Sequence, residues 1–111
     1  MTPALHATAP LPAEPLELLR TMLEDDFAAQ TARLTQLTVY ARLPRRAGYD
    51  VHTLNGQAAD ARQRIADTAR ALRRMSEGTY GRCEACHRPI PLGRLRNAPH
   101  ATRCTLCDRD R

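Results

Sequence analysis

The sequence predicts a mainly α fold: an antiparallel two-helix coiled-coil hairpin followed by a small C-terminal four-cysteine module. Three observations predict it. After Pro15 no Gly or Pro interrupts the chain until Pro44, and apolar residues recur there at heptad spacing. A second heptad-patterned stretch runs from Val51 to Met75. Beyond it, all four cysteines fall in two Cys-x-x-Cys pairs.

The first helix is expected over about 15–43. Pro15 suits a first helical turn, where a missing N–H removes no hydrogen bond, and Glu14 and Glu17 suit the positive end of the helix dipole. Leu16, Leu23, Gln30 and Leu37 form one heptad column, and Phe27, Leu34 and Ala41 form the column four residues on. Alternating steps of four and three make a coiled-coil seam. Residues 44–50 read as the tip, with Pro44 ending the helix, Gly48 giving conformational freedom and Asp50 a candidate N-cap.

The second helix is expected over about 51–77. Val51, Ala58, Ile65 and Leu72 form one column; Leu54, Ala61, Thr68 and Met75 form the other. Gly56 weakens its first turns by about 1 kcal/mol relative to Ala, so the helix should firm up after it. Gly78 is the expected stop. Two arms of similar length joined by a short turn must run antiparallel, and seams of about four heptads favour a hairpin within one monomer. The hairpin thus covers 14–78 and the finger 79–111. Residues 1–13, with Pro3, Pro10 and Pro12 among small residues, read as a disordered tail.

Composition agrees and excludes other classes. A chain of 111 residues with 4% aromatic content, no Trp and one Phe has few large groups for a broad core. A metal is a usual remedy for so small a core. No stretch nears the roughly 20 apolar residues of a membrane span. Met1–Glu14 has neither the basic nor the apolar region of a signal peptide, which points to the cytoplasm. All 17 basic residues are Arg, within a net charge of +5. Residues 1–43 carry −2, 44–78 carry +3 and 79–111 carry +4. Such a basic second half is compatible with nucleic-acid contact, and equally with a solvated Arg-rich helix face.

The cysteine pattern is the sharpest chemical signal. Cys83-x-x-Cys86 and Cys104-x-x-Cys107 have the separation of zinc ribbons and related four-cysteine fingers. Each pair makes a knuckle, and two knuckles fill a tetrahedral shell around one Zn²⁺. Four thiolates leave no open position for water, so the zinc is structural. A thioredoxin-like disulfide lacks its βαβ context here. His87 and His100 are expected at the surface or beside the ligands, while Arg82, Arg88 and Arg103 would offset the site's negative charge. Ile90, Leu92 and Leu95 are the apolar groups that can pack beside the metal, and Tyr80 can cap the joint with the hairpin.

Tyr80-Gly81-x-Cys83-x-x-Cys86, Pro89-Ile90-Pro91, Arg94-Leu95, Pro99 and Cys104-x-x-Cys107 resemble the zinc finger of the DksA/TraR family. A hairpin directly before the finger is also that family's order. The resemblance implies a bacterial transcription regulator that binds RNA polymerase, inserting the hairpin tip into the secondary channel, often in concert with ppGpp. Three departures accompany it. His87 stands where Gly is common, and Asn97 replaces an Ala two before the proline. The family's best-studied tips carry an acidic D-x-x-D-x-A motif. Here Arg45 and Arg46 occupy the turn, Asp50 is its one acid, and Thr53 stands where a second Asp would be. No residues can be matched to a ppGpp contribution.

Two function readings follow. One is a polymerase-binding regulator; the other is a zinc-finger module for another protein or nucleic acid, without DksA-like tip activity. An enzyme is disfavoured, because the thiolate site is saturated and no nucleophile–base or paired-carboxylate set is present.

Overall fold

A computed structural model of the chain describes residues 11–109. Helix α1 spans Ala13–Arg42, 30 residues or about 45 Å of rise. Pro12 stands at its N-cap with no side chain to accept an amide, so Glu14 is the acid that meets the dipole. The helix stops where Pro44 dictates. Leu43, the residue before it, is extended at φ −75° and ψ 148°, the backbone that a following proline enforces.

Helix α2 spans Val51–Glu77, 27 residues. Asp50 caps it, accepting the Thr53 N–H at 2.9 Å and the Thr53 hydroxyl at 3.0 Å. With that cap the helix is continuous from Val51 through Gly56, and the late start expected from Gly56 is not seen. At the other end Gly78 takes the left-handed conformation, φ 78°, and its N–H reaches the carbonyls of Arg74 and Met75. This is the usual glycine stop. Two short helices follow in the finger, α3 (Leu92–Asn97) and α4 (Thr105–Arg109).

The two long helices pack as an antiparallel hairpin, giving a molecule of 65 × 30 × 21 Å. On α2, Leu54, Ala61, Thr68 and Met75 are buried as the column that the heptads define. Thr68 lies fully inside, its hydroxyl donating to the carbonyls of Arg64 and Ile65 within the same helix. Val51, at the head of the other column, is 45% exposed.

On α1 the column Leu16, Leu23, Gln30, Leu37 faces the partner, with Leu23 and Leu37 buried. Its companion column is a correction. Phe27 and Ala41 are exposed and Leu34 only half-buried. The residues three after each position of the first column face α2 instead: Leu19, Asp26, Arg33 and Tyr40. Leu19 is buried against Ala71 and Met75 in one cluster. Asp26 pairs with Arg64 at 2.7 Å, Arg33 donates to Gln57 at 2.9 Å, and Tyr40 stacks on Tyr49 with centroids 5.7 Å apart. Apolarity alone selects the wrong neighbour, because this column satisfies its polar groups across the seam.

The core sits at one end. Leu19 and Leu23 of α1, Ala71 and Met75 of α2, and Tyr80, Cys83, Ile90 and Leu95 of the finger form a single buried cluster. Leu37 and Leu54 are buried further along the hairpin, outside that cluster. Of the tail expected over 1–13, residues 1–10 lie outside the described ones; Leu11 packs at the edge of the core. It does so over Gly81, which has φ 86°, and a Cβ there would stand 3.4 Å from Leu11 Cδ1. That contact would be ordinary; it is the backbone angle that calls for glycine at this position.

Candidate metal centre and hairpin tip

The crossover from α2 into the finger is held by one residue. The Arg74 carbonyl accepts the N–H groups of Thr79 at 2.9 Å and Tyr80 at 3.2 Å. Its guanidinium donates to the carbonyls of Thr79, at 3.0 Å, and Arg82. The Tyr80 hydroxyl then donates to the Pro99 carbonyl at 2.8 Å, tying the start of the finger to the segment after α3. Tyr80 therefore caps the joint, as its position suggested. Burial of the phenol pushes its pKa up to about 12, against a weaker downward pull from Arg74.

The first knuckle is a tight reversal between Arg82 and Pro89, which form an antiparallel bridge. Cys83 N–H donates to the Arg88 carbonyl at 2.8 Å and His87 N–H to the Cys83 carbonyl at 2.9 Å. His87 turns the chain at φ 65°, a left-handed position that Gly fills without strain and His tolerates better than most residues. The second knuckle opens α4, with Asp108 N–H donating to the Cys104 carbonyl at 2.9 Å. A backbone bond from Glu84 N–H to the Thr102 carbonyl, 2.8 Å, joins the knuckles.

These turns bring the four sulfurs of Cys83, Cys86, Cys104 and Cys107 within 4.8 Å of one another. Sulfurs at tetrahedral corners about 2.3 Å from one Zn²⁺ stand about 3.8 Å apart. The Cys86 and Cys104 sulfurs are 3.8 Å apart, far beyond the roughly 2.05 Å of a disulfide. The donor set fits one structural zinc ion. Neither His87 nor His100 joins this cluster.

The electrostatics ask for a cation. Burial pushes the Cys83 thiol up, yet backbone N–H groups of Cys86, Cys104 and Ala85 outweigh it and bring the thiol down to about 6. Hydrogen bonding with the Cys104 and Cys83 thiols pushes Cys107 up to about 12. Four crowded sulfurs cannot all ionise without a positive ion between them; with one, all four serve as thiolates. Around the site Arg103 pairs with Glu84 at 3.7 Å and Arg94 with Asp108 at 3.5 Å. Arg94 also donates to the Arg103 carbonyl at 2.9 Å. Ile90 and Leu95 are buried beside Cys83, and Leu92 is half-buried.

The tip lies at the opposite end of the hairpin. Arg45 and Arg46 are exposed in a turn whose residues Arg46, Ala47 and Gly48 are all left-handed, at φ 47°, 53° and 85°. Three backbone bonds fix it: Arg46 N–H to Leu43, Gly48 N–H to Arg45 and Tyr49 N–H to Arg46, at 2.9–3.0 Å. Asp50 is drawn into the cap of α2. The Thr53 N–H and hydroxyl, with smaller help from His52 N–H and Arg46, hold its carboxyl below the usual range. Sequence reasoning passed over Tyr40, Tyr49 and Leu43 here; two tyrosines flanking a predicted turn were the available signal.

No helix among the described residues is long and apolar enough to cross a membrane. Residues 78–111 match the family model of the prokaryotic DksA/TraR C4-type zinc finger. The fold is similar to that of transcription factor DksA2 from Pseudomonas aeruginosa, with a TM-score of 0.70 and 21% identity, over 99% of this chain and 89% of that one. No curated protein matches the chain.

Proposed function

We propose that this chain, whose residues 78–111 match the DksA/TraR zinc finger, regulates transcription as members of that family do, by binding RNA polymerase, its hairpin entering the secondary channel. The observation that carries this reading is the pairing of a DksA/TraR finger with a long helical hairpin in one fold. Cys83, Cys86, Cys104 and Cys107 are assigned as the ligands of one zinc, which clamps the hairpin base and does no chemistry. Arg45 and Arg46 are assigned to the working end, and Asp50 to the helix cap that holds its shape. The reading places the protein in the cytoplasm as a monomer, with no catalytic residues.

Retention of core RNA polymerase on immobilised, zinc-loaded protein tests the proposal, together with the change in transcript yield when the protein is added. Retention that survives washing, with altered yield, supports it; absence of retention refutes it.

A second reading takes its support from the tip. Two arginines point outward there while the one acid is used as a cap. A finger module that contacts nucleic acid through its basic surface would bind DNA directly, with affinity falling steeply as salt rises. Binding of that kind without polymerase retention would favour it.

A further inference from the structure

We propose that the hairpin tip docks into a carboxylate-lined recess of a protein partner, with Arg45 and Arg46 as the pairing groups. Four observations support it. No ion pair within 4.0 Å occupies Arg42, Arg45 or Arg46 among the described residues, so the end of α1 and the turn, with Asp50 as their one acid, carry net positive charge. Asp50, the one nearby acid, faces its own helix and is held there by Thr53. The turn is preshaped: its three backbone bonds and the Tyr40–Tyr49 stack, 16° from parallel, fix the main chain that carries the two arginines before any partner arrives. Leu43, Tyr49 and Val51 are 43%, 41% and 45% exposed around them.

Preshaping reduces the ordering entropy lost on docking. Two non-glycine residues held left-handed represent strain of about 1–3 kcal/mol each, which tends to persist at working sites. Arg and Tyr ringed by aliphatic groups is the composition of interface hot spots.

The same features choose protein over nucleic acid. Leu43 and Val51 match an apolar rim and gain nothing against phosphates. The two tyrosine rings already stack on each other, so each has at most its outer face to offer an unpaired base. Guanidinium forks pair with carboxylates through two parallel hydrogen bonds, so an acidic recess is the matching chemistry. For the identity of the partner this inference rests on the polymerase reading; the chemistry of the tip does not.

The test titrates full-length zinc-loaded protein into labelled core polymerase across a salt series. Wild type is compared with Arg45→Asp/Arg46→Asp, Arg45→Gln and Asp50→Asn. Asp tolerates the left-handed backbone at position 46, and unchanged helicity and thermal melting confirm that each variant keeps its hairpin. The double reversal should weaken binding by about tenfold or more and flatten the salt dependence. Arg45→Gln should show a smaller loss. Asp50→Asn should stay within about twofold, since Asn caps as well as Asp.

Wild-type binding that the double reversal leaves intact overturns the tip proposal and leaves the polymerase reading standing. A loss with Asp50→Asn as large as with the reversal overturns it too. If wild type does not bind polymerase, that reading fails, and a labelled peptide of alternating Asp and Leu decides the tip against a single-stranded oligonucleotide. Peptide binding that the double reversal abolishes upholds the proposal. No peptide binding, or oligonucleotide binding that the reversal abolishes, overturns it.

Discussion

The two ends of the hairpin are built on different principles. At the finger end, α1, α2 and the finger share one buried cluster of Leu19, Leu23, Ala71, Met75, Tyr80, Cys83, Ile90 and Leu95. At the tip end the arms have only each other, and the seam is thin: Leu37 and Leu54 are buried, while cross-arm contacts run through Arg33–Gln57 and Tyr40–Tyr49. The difference teaches a division of labour. The metal-fastened base fixes the direction of the arm, and the arm leaves side chains unburied where a partner can use them.

The largest effect should come from breaking the metal shell. Cys83→Ser removes the buried sulfur, and structural zinc sites contribute about 10–16 kcal/mol to folding their modules. Trypsin should then cut rapidly at Arg82, Arg94 and Arg96, while helicity from α1 and α2 is largely kept. Next come paired cavities. Leu19→Ala in the shared core should cost about 3 kcal/mol in urea unfolding, against about 2 for Leu37→Ala on the arm, where fewer layers must be repacked. Equal costs would remove the distinction between the ends.

Tyr80→Phe deletes the hydrogen bond to Pro99 and should cost about 1 kcal/mol. Tyr80 also gives the base a pH signature. Its folded pKa of about 12 lies above the ordinary value of 10.0, so the folded state favours the neutral phenol. That contribution is complete below pH 10 and lost as pH rises toward 12. The Phe variant should lack this decline in a thermal-melt series. Smallest is the cross-arm pair. Arg64 is exposed and Asp26 half-buried, and Asp26→Ala should cost about 0.5 kcal/mol, less at high salt.

The sequence made the hairpin and the metal cluster legible because both rest on spacing. Heptad steps placed Leu23, Leu37, Leu54, Ala61, Thr68 and Met75 inside, and two Cys-x-x-Cys pairs placed the sulfurs together. The second column of α1 was not legible. Asp26 and Arg33 face the partner only because Arg64 and Gln57 meet them there, a fact of antiparallel register that a search for apolar residues misses. The grip of Arg74 on the crossover was hidden for a related reason. A guanidinium satisfied by main-chain carbonyls leaves no complementary charge in the sequence to announce it. Asp50 shows the converse: it was readable both as a cap and as a tip acid, and the geometry makes it a cap.

Amide hydrogen exchange, compared between the zinc-loaded protein and the same protein with its metal chelated, tests the division most directly. Chelation should abolish protection across residues 79–109 and weaken it around Leu19, Leu23 and Met75. Amides near Leu37 and Leu54 should stay nearly as protected as before. Protection lost evenly along the whole hairpin, or kept in the finger, would contradict the account.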